Sequence, residues 1–583
     1  AAHLQAPPSY ADTLFDPHTP GSLAHFYGTM SFHQFSLAGT VLPRRYHSDN
    51  PASYYVSSTQ GQGHFGRFVE EVLAQVDRDI DFGEFDNDGP DGVPNSGDDD
   101  GWVDYVFIVP RSAPRGFIVG GATGVAGLGM PASYVTRDVS VRGVPIRVGT
   151  DRYSGSLSSE GPFSQLVGTM AHEFGHALGL PDLYDLAHER QADDSAGIGR
   201  WGLMGWGAHG WAGTDGPTEL SAWSREKLGW VGVDNERLFV TATDTSVIVD
   251  DIRRGGHIVR VPLPTKSDGV AGVAEEYLLL EYRSRAARFY GRGMPAGGLL
   301  IWHIRPQRED NTDETRKLVD LVSADGLYRQ TDQRLGDNLD AWSHGSSYQT
   351  TNDGNLGDAT DPFDGVRFTS FGRHTNPPVD PFHEFSPAAR GPVLDMQRAG
   401  DAISVDVLLP RWSGRIDSDV HWTNQIIVDG DITVTETGRL TVHRGTEVLL
   451  DMDRGGGGRD PDRVEITING DLSLQPPALS FAAPLFRSLQ PGGSWFGIVL
   501  SPALDSWVSA PAGAYEIFDS RHGVYTAGSP RLQLAWQVQP APVAFARAEL
   551  PSVEVSNDGG DISAGSWVHF MVLQDGNRVT VDS

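Results

Sequence analysis

Apolar residues recur at helical spacing over FGRFVEEVLAQVDRD (65–79) and over SQLVGTMAHEFGHALGL (164–180). Each run predicts a helix that buries one face, and the second must stop at Pro181. TELSAWSREKLGWV (218–231) predicts a further helix. Alternation in SFHQFSLAGTV (31–41) predicts a strand, and the largely apolar run VDYVFIVP (103–110) predicts a buried one. From about 236 the pattern shifts to short strands, LFVTATD, HIVRVPL, EEYLLLEYR and GLLIWHIRP, which read as a β-rich unit running to about 410. Within it, 305–390 is rich in Asp, Gly, Asn and Thr without a clear period, and reads as a decorated loop region. After LLPRWSG (408–414) short β-branched runs are separated by Gly or Asp, as in VDGDITVTETGRLTVHRGTEVLL (428–450). A related phrase, INGDLSLQ (468–475), follows VDGDITVT after 40 residues. Repeated short strands of this kind predict stacked coils, a parallel β-helix in preference to a small β-sandwich.

These textures divide the chain into 1–235, 236–410 and 411–583. A length of 583 residues is too great for one ordinary core, so several domains are expected. With 39% apolar and 21% charged residues the chain reads as globular. No stretch approaches the roughly 18 continuous apolar residues of a membrane helix. The opening AAHLQAPPSYADTLFD has neither the basic stretch nor the apolar core of a signal peptide, as expected if the chain begins after a cleavage. A net charge of −31 argues against nucleic acid and anionic membranes as partners. The absence of cysteine rules out disulfides and thiolate metal sites.

The candidate chemistry lies in HEFGHALGLPD, His172 to Asp182. His172 and His176 stand four apart on one helix face and can grip one ion, with Glu173 beside the first of them. Gly179 permits a sharp change of direction that brings Asp182 back beneath the metal as a third ligand. Three protein ligands with one position left for water is the arrangement of a catalytic zinc, not a structural one. From composition, HExxH arises by chance roughly 0.02–0.03 times in such a chain, so the motif with its extension is not read as an accident. Asp185 is the rival third ligand, and Tyr184 has a packing role or donates to an oxyanion. His188-Glu189 and His383-Glu384 lack a second histidine four residues on and cannot form this site. RWGLMGWGAHG (200–210) follows, with Met204 expected in a tight turn as an apolar floor under the metal, not a ligand.

HExxHxxGxxD with a methionine turn resembles the metzincin zinc proteases, although aspartate stands where that group more commonly has histidine. Together with GLPDLYD, LSAWSREKLGWV and EEYLLLEYR…GGLLIWHI it is similar to the immune-inhibitor-A-like metalloproteases (peptidase family M6), in ordered phrases over about 20–410. The resemblance implies a metzincin-like zincin catalytic domain, and with the β-rich accessory domain and the C-terminal all-β repeat domain predicted by the strand patterns it gives an α+β chain. It also implies zinc on His172, His176 and Asp182, Glu173 as general base, a protein or peptide substrate, and secretion.

FDNDGPDGVPNSGDDDGWVDYV (85–106) sets Asp86, Asp88, Asp91, Asp98, Asp100 and Asp104 among glycines. Such clustered carboxylates suit a structural calcium, because their mutual repulsion is costly without a cation. NDGNLGDATDPFDG (352–365) offers a second calcium candidate at Asp358 and Asp361. His303 reads as a buried strand residue. Trp302, Trp422 and Trp495 read as core residues in preference to sugar-stacking ones. The competing reading is a surface-binding or adhesion protein with an inactive zincin domain, docking to a surface polymer through its C-terminal domain. The intact Glu173 weighs against it. A zinc hydrolase acting on a non-peptide bond is a third reading.

Overall fold

The computed structural model describes residues 6–57, 63–118, 122–187, 194–264, 276–285, 289–326, 339–344, 346–379, 388–423, 425–453, 456–475, 477, 482–501, 508–509 and 515–526. Beyond these it describes the short strand segments 532–536, 553–557, 570–574 and 577–581. The fold is mixed and strand-rich, with few helices. It divides into two compact units. The first comprises Ala1–Leu263, Gly272–Pro381 and Gly391–Leu409, and the second Pro264–Ala271, Phe382–Arg390 and Pro410–Ser583. The boundary expected at 235/236 falls inside the first unit.

In that unit the motif helix runs from Phe163 to Ala177, as its period predicts. Its apolar face, Leu166, Val167, Met170, Ala171 and Phe174, enters a core that also takes in Leu23 and Phe26 of the helix Leu23–Met30. The same core includes Leu279, Leu300, Trp302 and Ile304 from the following β-rich segment. One hydrophobic cluster therefore spans both sides of residue 235. The strand Gly155–Ser158 lies beside the motif helix and is the centre of a three-stranded sheet. It pairs in parallel with Val106–Ile108 and antiparallel with the edge strand Gly124–Ala126.

The β-rich segment forms a five-stranded sheet with Tyr277–Arg283 at its centre, between Gly298–Ile304 and Ile258–Pro262. Val319–Val322 closes one edge and Leu238–Val240 the other. Val319–Val322 lies in the stretch expected to be loop. Its side chains alternate buried and half-buried, a pattern too short to stand out from its polar flanks. The strand expected over 31–41 does not form. Phe32 and His33 take φ of 56° and 62°, which bends the chain, and Ser31 Oγ takes up the Phe35 amide, so no ladder can start there.

In the second unit Gln425–Val434 pairs in parallel with Arg411–Ile416, Glu447–Leu450 and Glu465–Ile468. Those ladders continue in parallel to Leu485–Ser488 and Gly497–Leu500. A second parallel ladder runs Asp419–Trp422, Arg439–Val442, Asp471–Leu474 and Val508–Ser509. Inward-facing Ile432, Val434, Leu440, Val442, Ile466, Ile468 and Leu472 share one core with Trp412, Trp422 and Trp495. The phrase repeat seen in the sequence thus maps onto strands of matching burial, Asp431 to Val434 and Asp471 to Leu474, in two separate parallel ladders.

Candidate metal centre

The motif helix ends in a tight reversal. Gly179, at φ 90°, donates its amide to the His176 carbonyl at 3.0 Å, and the Leu180 amide reaches back to Gly175 at 3.0 Å. This pair of bonds is the Schellman closure, which favours glycine at the left-handed position. The chain emerges pointing back along the helix, and Asp182 Oδ1 comes to rest 3.0 Å from His172 Nε2 and 3.5 Å from His176 Nε2.

The other nitrogen of each ring is already committed. His172 Nδ1 donates to the Leu203 carbonyl at 3.0 Å, and His176 Nδ1 donates to the Leu180 carbonyl at 2.8 Å. Both rings are therefore held in the orientation that turns Nε2 toward Asp182, the outer-shell arrangement metal-ligating histidines use. Two imidazole nitrogens and a carboxylate oxygen are a donor set suited to zinc, and the three groups lie close enough to hold one ion. With no metal bound, burial pulls the His172 imidazole down, but its hydrogen bond to Asp182 and the charges of Asp182 and Glu173 outweigh burial and hold it at about 9. Burial raises Asp182, and the two histidines outweigh that and keep it well below the usual carboxylate range.

Glu173 is 7% exposed. Burial raises its proton affinity, and the charges of His172 and His176 offset only part of that rise. Its Oε1 would lie 2.4 Å from a Cβ added at Gly124, so the edge strand approaches the carboxylate closely only because it has glycine there. Met204, 1% exposed, packs under the helix, its Sδ 2.6 Å from where a Cβ on Gly175 would stand. The Tyr184 ring stacks on His172 at 6.4 Å and meets Trp206 at 5.4 Å. Asp185 is buried and turns to its own loop, where its Oδ1 accepts the Ala187 amide at 2.7 Å. His188-Glu189 and His383-Glu384 lie outside the described residues. A cavity of about 1260 Å³ lies behind the helix, lined by Met170, Phe174 and Ala177, and none of His172, Glu173, His176 and Asp182 lines it.

Of the acidic-loop residues, the structure gathers Asp86 and Asp88 with Asp99, a residue the sequence reading passed over among its neighbours Asp98 and Asp100. Asp86 is fully buried; its Oδ2 accepts the Gly101 amide at 3.1 Å, while its Oδ1 has no protein partner. Burial first, and then the charges of Asp99, Asp100 and Asp88, push its carboxyl up to about 6. Asp99 also accepts the Gly89 and Ser96 amides, and Asp91, Asp98, Asp100 and Asp104, which do not join this group, accept backbone amides of Val93, Asp91, Trp102 and Asn87. In the other candidate loop Asp361 accepts Trp201 Nε1 and the Asp358 amide, each at 2.7 Å, and burial raises it to about 7. Asp358 accepts the Thr360 amide at 2.6 Å and does not gather with two further ligand groups among the described residues. His303 is buried against Glu276 at 2.8 Å, and Trp302, Trp422 and Trp495 are fully buried, as expected of core residues.

Helix, reversal and donor set together bring two imidazole nitrogens and a carboxylate oxygen to one point. The family profile described as immune inhibitor A peptidase M6, catalytic domain, matches residues 7–234. The match agrees, over residues 7–234, with the resemblance carried by the ordered phrases. The chain is similar to "Pre-pro-metalloprotease PrtV" of Vibrio cholerae serotype O1 (strain M66-2), 27% identical over 337 residues that cover 51% of this chain and 35% of the relative. It is also similar to "Immune inhibitor A" of Bacillus thuringiensis subsp. alesti, 28% identical over 277 residues covering 41% of this chain and 38% of the relative. The chain thus spans well under half the length of these relatives. No solved structure matches.

Proposed function

We propose that the chain is a secreted zinc-dependent endopeptidase in which His172, His176 and Asp182 hold the metal and Glu173 is the general base. The observation that carries this reading is the convergence of two Nε2 atoms and one carboxylate oxygen, with each Nδ1 already bonded to a carbonyl. When bound, zinc supplies Lewis acidity that acidifies water and polarises a peptide carbonyl. Glu173, with its proton affinity raised by burial, accepts a proton from the attacking water on its carboxylate and passes it to the amine nitrogen as the C–N bond breaks. Secretion is supported by the relative named as a pre-pro-enzyme. No helix among the described residues is long and apolar enough to cross a membrane. Cleavage of casein or gelatin tests the activity: it is expected to stop on zinc chelation and to return with added zinc. Chelator-insensitive cleavage, or none in the zinc-loaded protein, would overturn the reading.

The same reading assigns a structural calcium to Asp86, Asp88 and Asp99, supported by the buried, unpartnered Asp86 Oδ1. A carboxyl raised to about 6 in the folded chain from an ordinary value near 3.9 opposes folding once ionised, so without a cation stability falls as pH rises from about 4 to 6. Calcium cancels that penalty. At pH 7.5 it is expected to stabilise the protein by about 2.7 kcal/mol when present at 100 times its Kd, read as a rise in Tm. Asp86→Asn should remove the rise, and an unchanged wild-type Tm would mean no calcium is bound there. For 411–583 we read a parallel β-helix-like stack following the β-rich 236–410 segment, on the support of its parallel ladders.

A further inference from the structure

We propose that Asn311 and Arg283, both outside the 7–234 match, are positioning residues of the metal centre. The proposal rests on the zinc reading above and concerns what holds the ligands in place.

Leu183 is the residue between Asp182 and Tyr184. Its amide donates to the Met204 carbonyl at 2.8 Å, which ties the ligand loop to the turn beneath the helix. Its own carbonyl accepts the Ile198 amide at 3.0 Å and Asn311 Nδ2 at 3.1 Å. Asn311 is fully buried, and the rest of its carboxamide is used on Val319. Nδ2 donates to the Val319 carbonyl at 2.8 Å, and Oδ1 accepts the Val319 amide at 3.0 Å. Val319 opposes Ile304 in the five-stranded sheet. One amide side chain therefore fastens the residue after Asp182 to a sheet made by a distant part of the chain. A buried carboxamide with its bonds made has no alternative rotamer at low cost.

Arg283 serves the other side of the centre. It is 3% exposed and ends the central strand of the same sheet, its guanidinium bonded to both oxygens of Glu281 at 3.0 Å. Nη1 donates to the Trp201 carbonyl at 2.7 Å and Nη2 to the Leu220 carbonyl at 3.1 Å. Between these two anchored carbonyls the Leu203 amide donates to the Glu219 carbonyl at 3.0 Å. The Leu203 carbonyl then receives His172 Nδ1. Arg283 thus holds both strands of chain that aim the first histidine, while Asn311 holds the loop that aims the aspartate. Neither touches the metal position itself. On this account the 236–410 segment is part of the catalytic unit and not an accessory to it.

The test uses full-length protein carrying Asn311→Ala, Arg283→Met or Arg283→Lys, with Ile301→Ala as the control. Ile301 is fully buried on the same sheet, but its side chain lies on the face away from the core shared with the motif helix. The zinc Kd is read by competition with a chromophoric chelator, at a temperature where circular dichroism shows every variant folded. Asn311→Ser stands in should Asn311→Ala not fold. Asn311→Ala and Arg283→Met are expected to weaken zinc by about 10–100-fold, the range for outer-shell partners, with Arg283→Lys recovering part of the loss. Ile301→Ala should lower Tm and leave the zinc Kd unchanged. Unchanged zinc affinity in Asn311→Ala and Arg283→Met, with lowered Tm alone, would overturn the proposal and make both residues ordinary core anchors. A wild-type chain that binds no zinc would overturn the zinc reading instead, so the two failures are distinguishable.

Discussion

Glu173→Gln is expected to lower kcat for peptide hydrolysis by about 10²–10⁴-fold while leaving one zinc per chain. The substitution is isosteric, so it keeps the close approach of this side chain to Gly124. It removes only the capacity to accept a proton. The wild-type carboxylate is buried between two histidines that favour its charged form, and burial still leaves its proton affinity raised. That balance suits a group that must take a proton from water and release it to an amine within one turnover. Steady-state kinetics on a peptide, with zinc content measured on the same sample, decides the matter. Equal kcat in the variant would remove Glu173 from the chemistry, whereas loss of zinc together with activity would make it a structural support of the site.

Asp182→Asn should weaken zinc by more than the roughly 10–100-fold that loss of an outer-shell partner costs, whereas Asp185→Asn should leave zinc affinity near wild type. The reason is geometric: Asp182 Oδ1 stands 3.0 Å from His172 Nε2, while Asp185 spends its carboxylate on the amide of Ala187. A matching loss in Asp185→Asn, with Asp182→Asn unaffected, would exchange the two roles. The pair also carries a pH signature in the metal-free protein. His172 is held at about 9, above its ordinary value near 6.5, so its ion pair with Asp182 stabilises the fold fully below about 6.5. That contribution is lost as pH rises through about 9. Thermal melts of the metal-free wild type should fall over this window, and those of Asp182→Asn should be flatter.

Much of this centre was legible because it is local. The spacing of His172, Glu173 and His176 follows from the helical period, and Gly179 marks a reversal that needs only neighbouring residues. Asp182 follows within a few positions, so no distant contact is needed to find it. The acidic loop was legible as a cluster but not atom by atom. Asp98, Asp99 and Asp100 are equivalent as sequence, and only the turn geometry brings Asp99, and not its two neighbours, together with Asp86 and Asp88. The strand read at 31–41 fails for a similar reason, since alternation cannot reveal that left-handed backbone at Phe32 and His33 denies it a partner.

By itself, then, the sequence determined the motif helix, its closure, the identity of the grouped donors and the recurrent strands after 411, all of them set by interactions a few residues apart or by repeated pattern. The tertiary structure alone decided that residues on both sides of 235 share one core. It alone also placed Asn311 against Leu183, 128 residues away, and Arg283 against Trp201, 82 residues away. Such pairings depend on how a sheet packs against a helix, and a buried amide or guanidinium carries no mark in the sequence of the carbonyl it will meet.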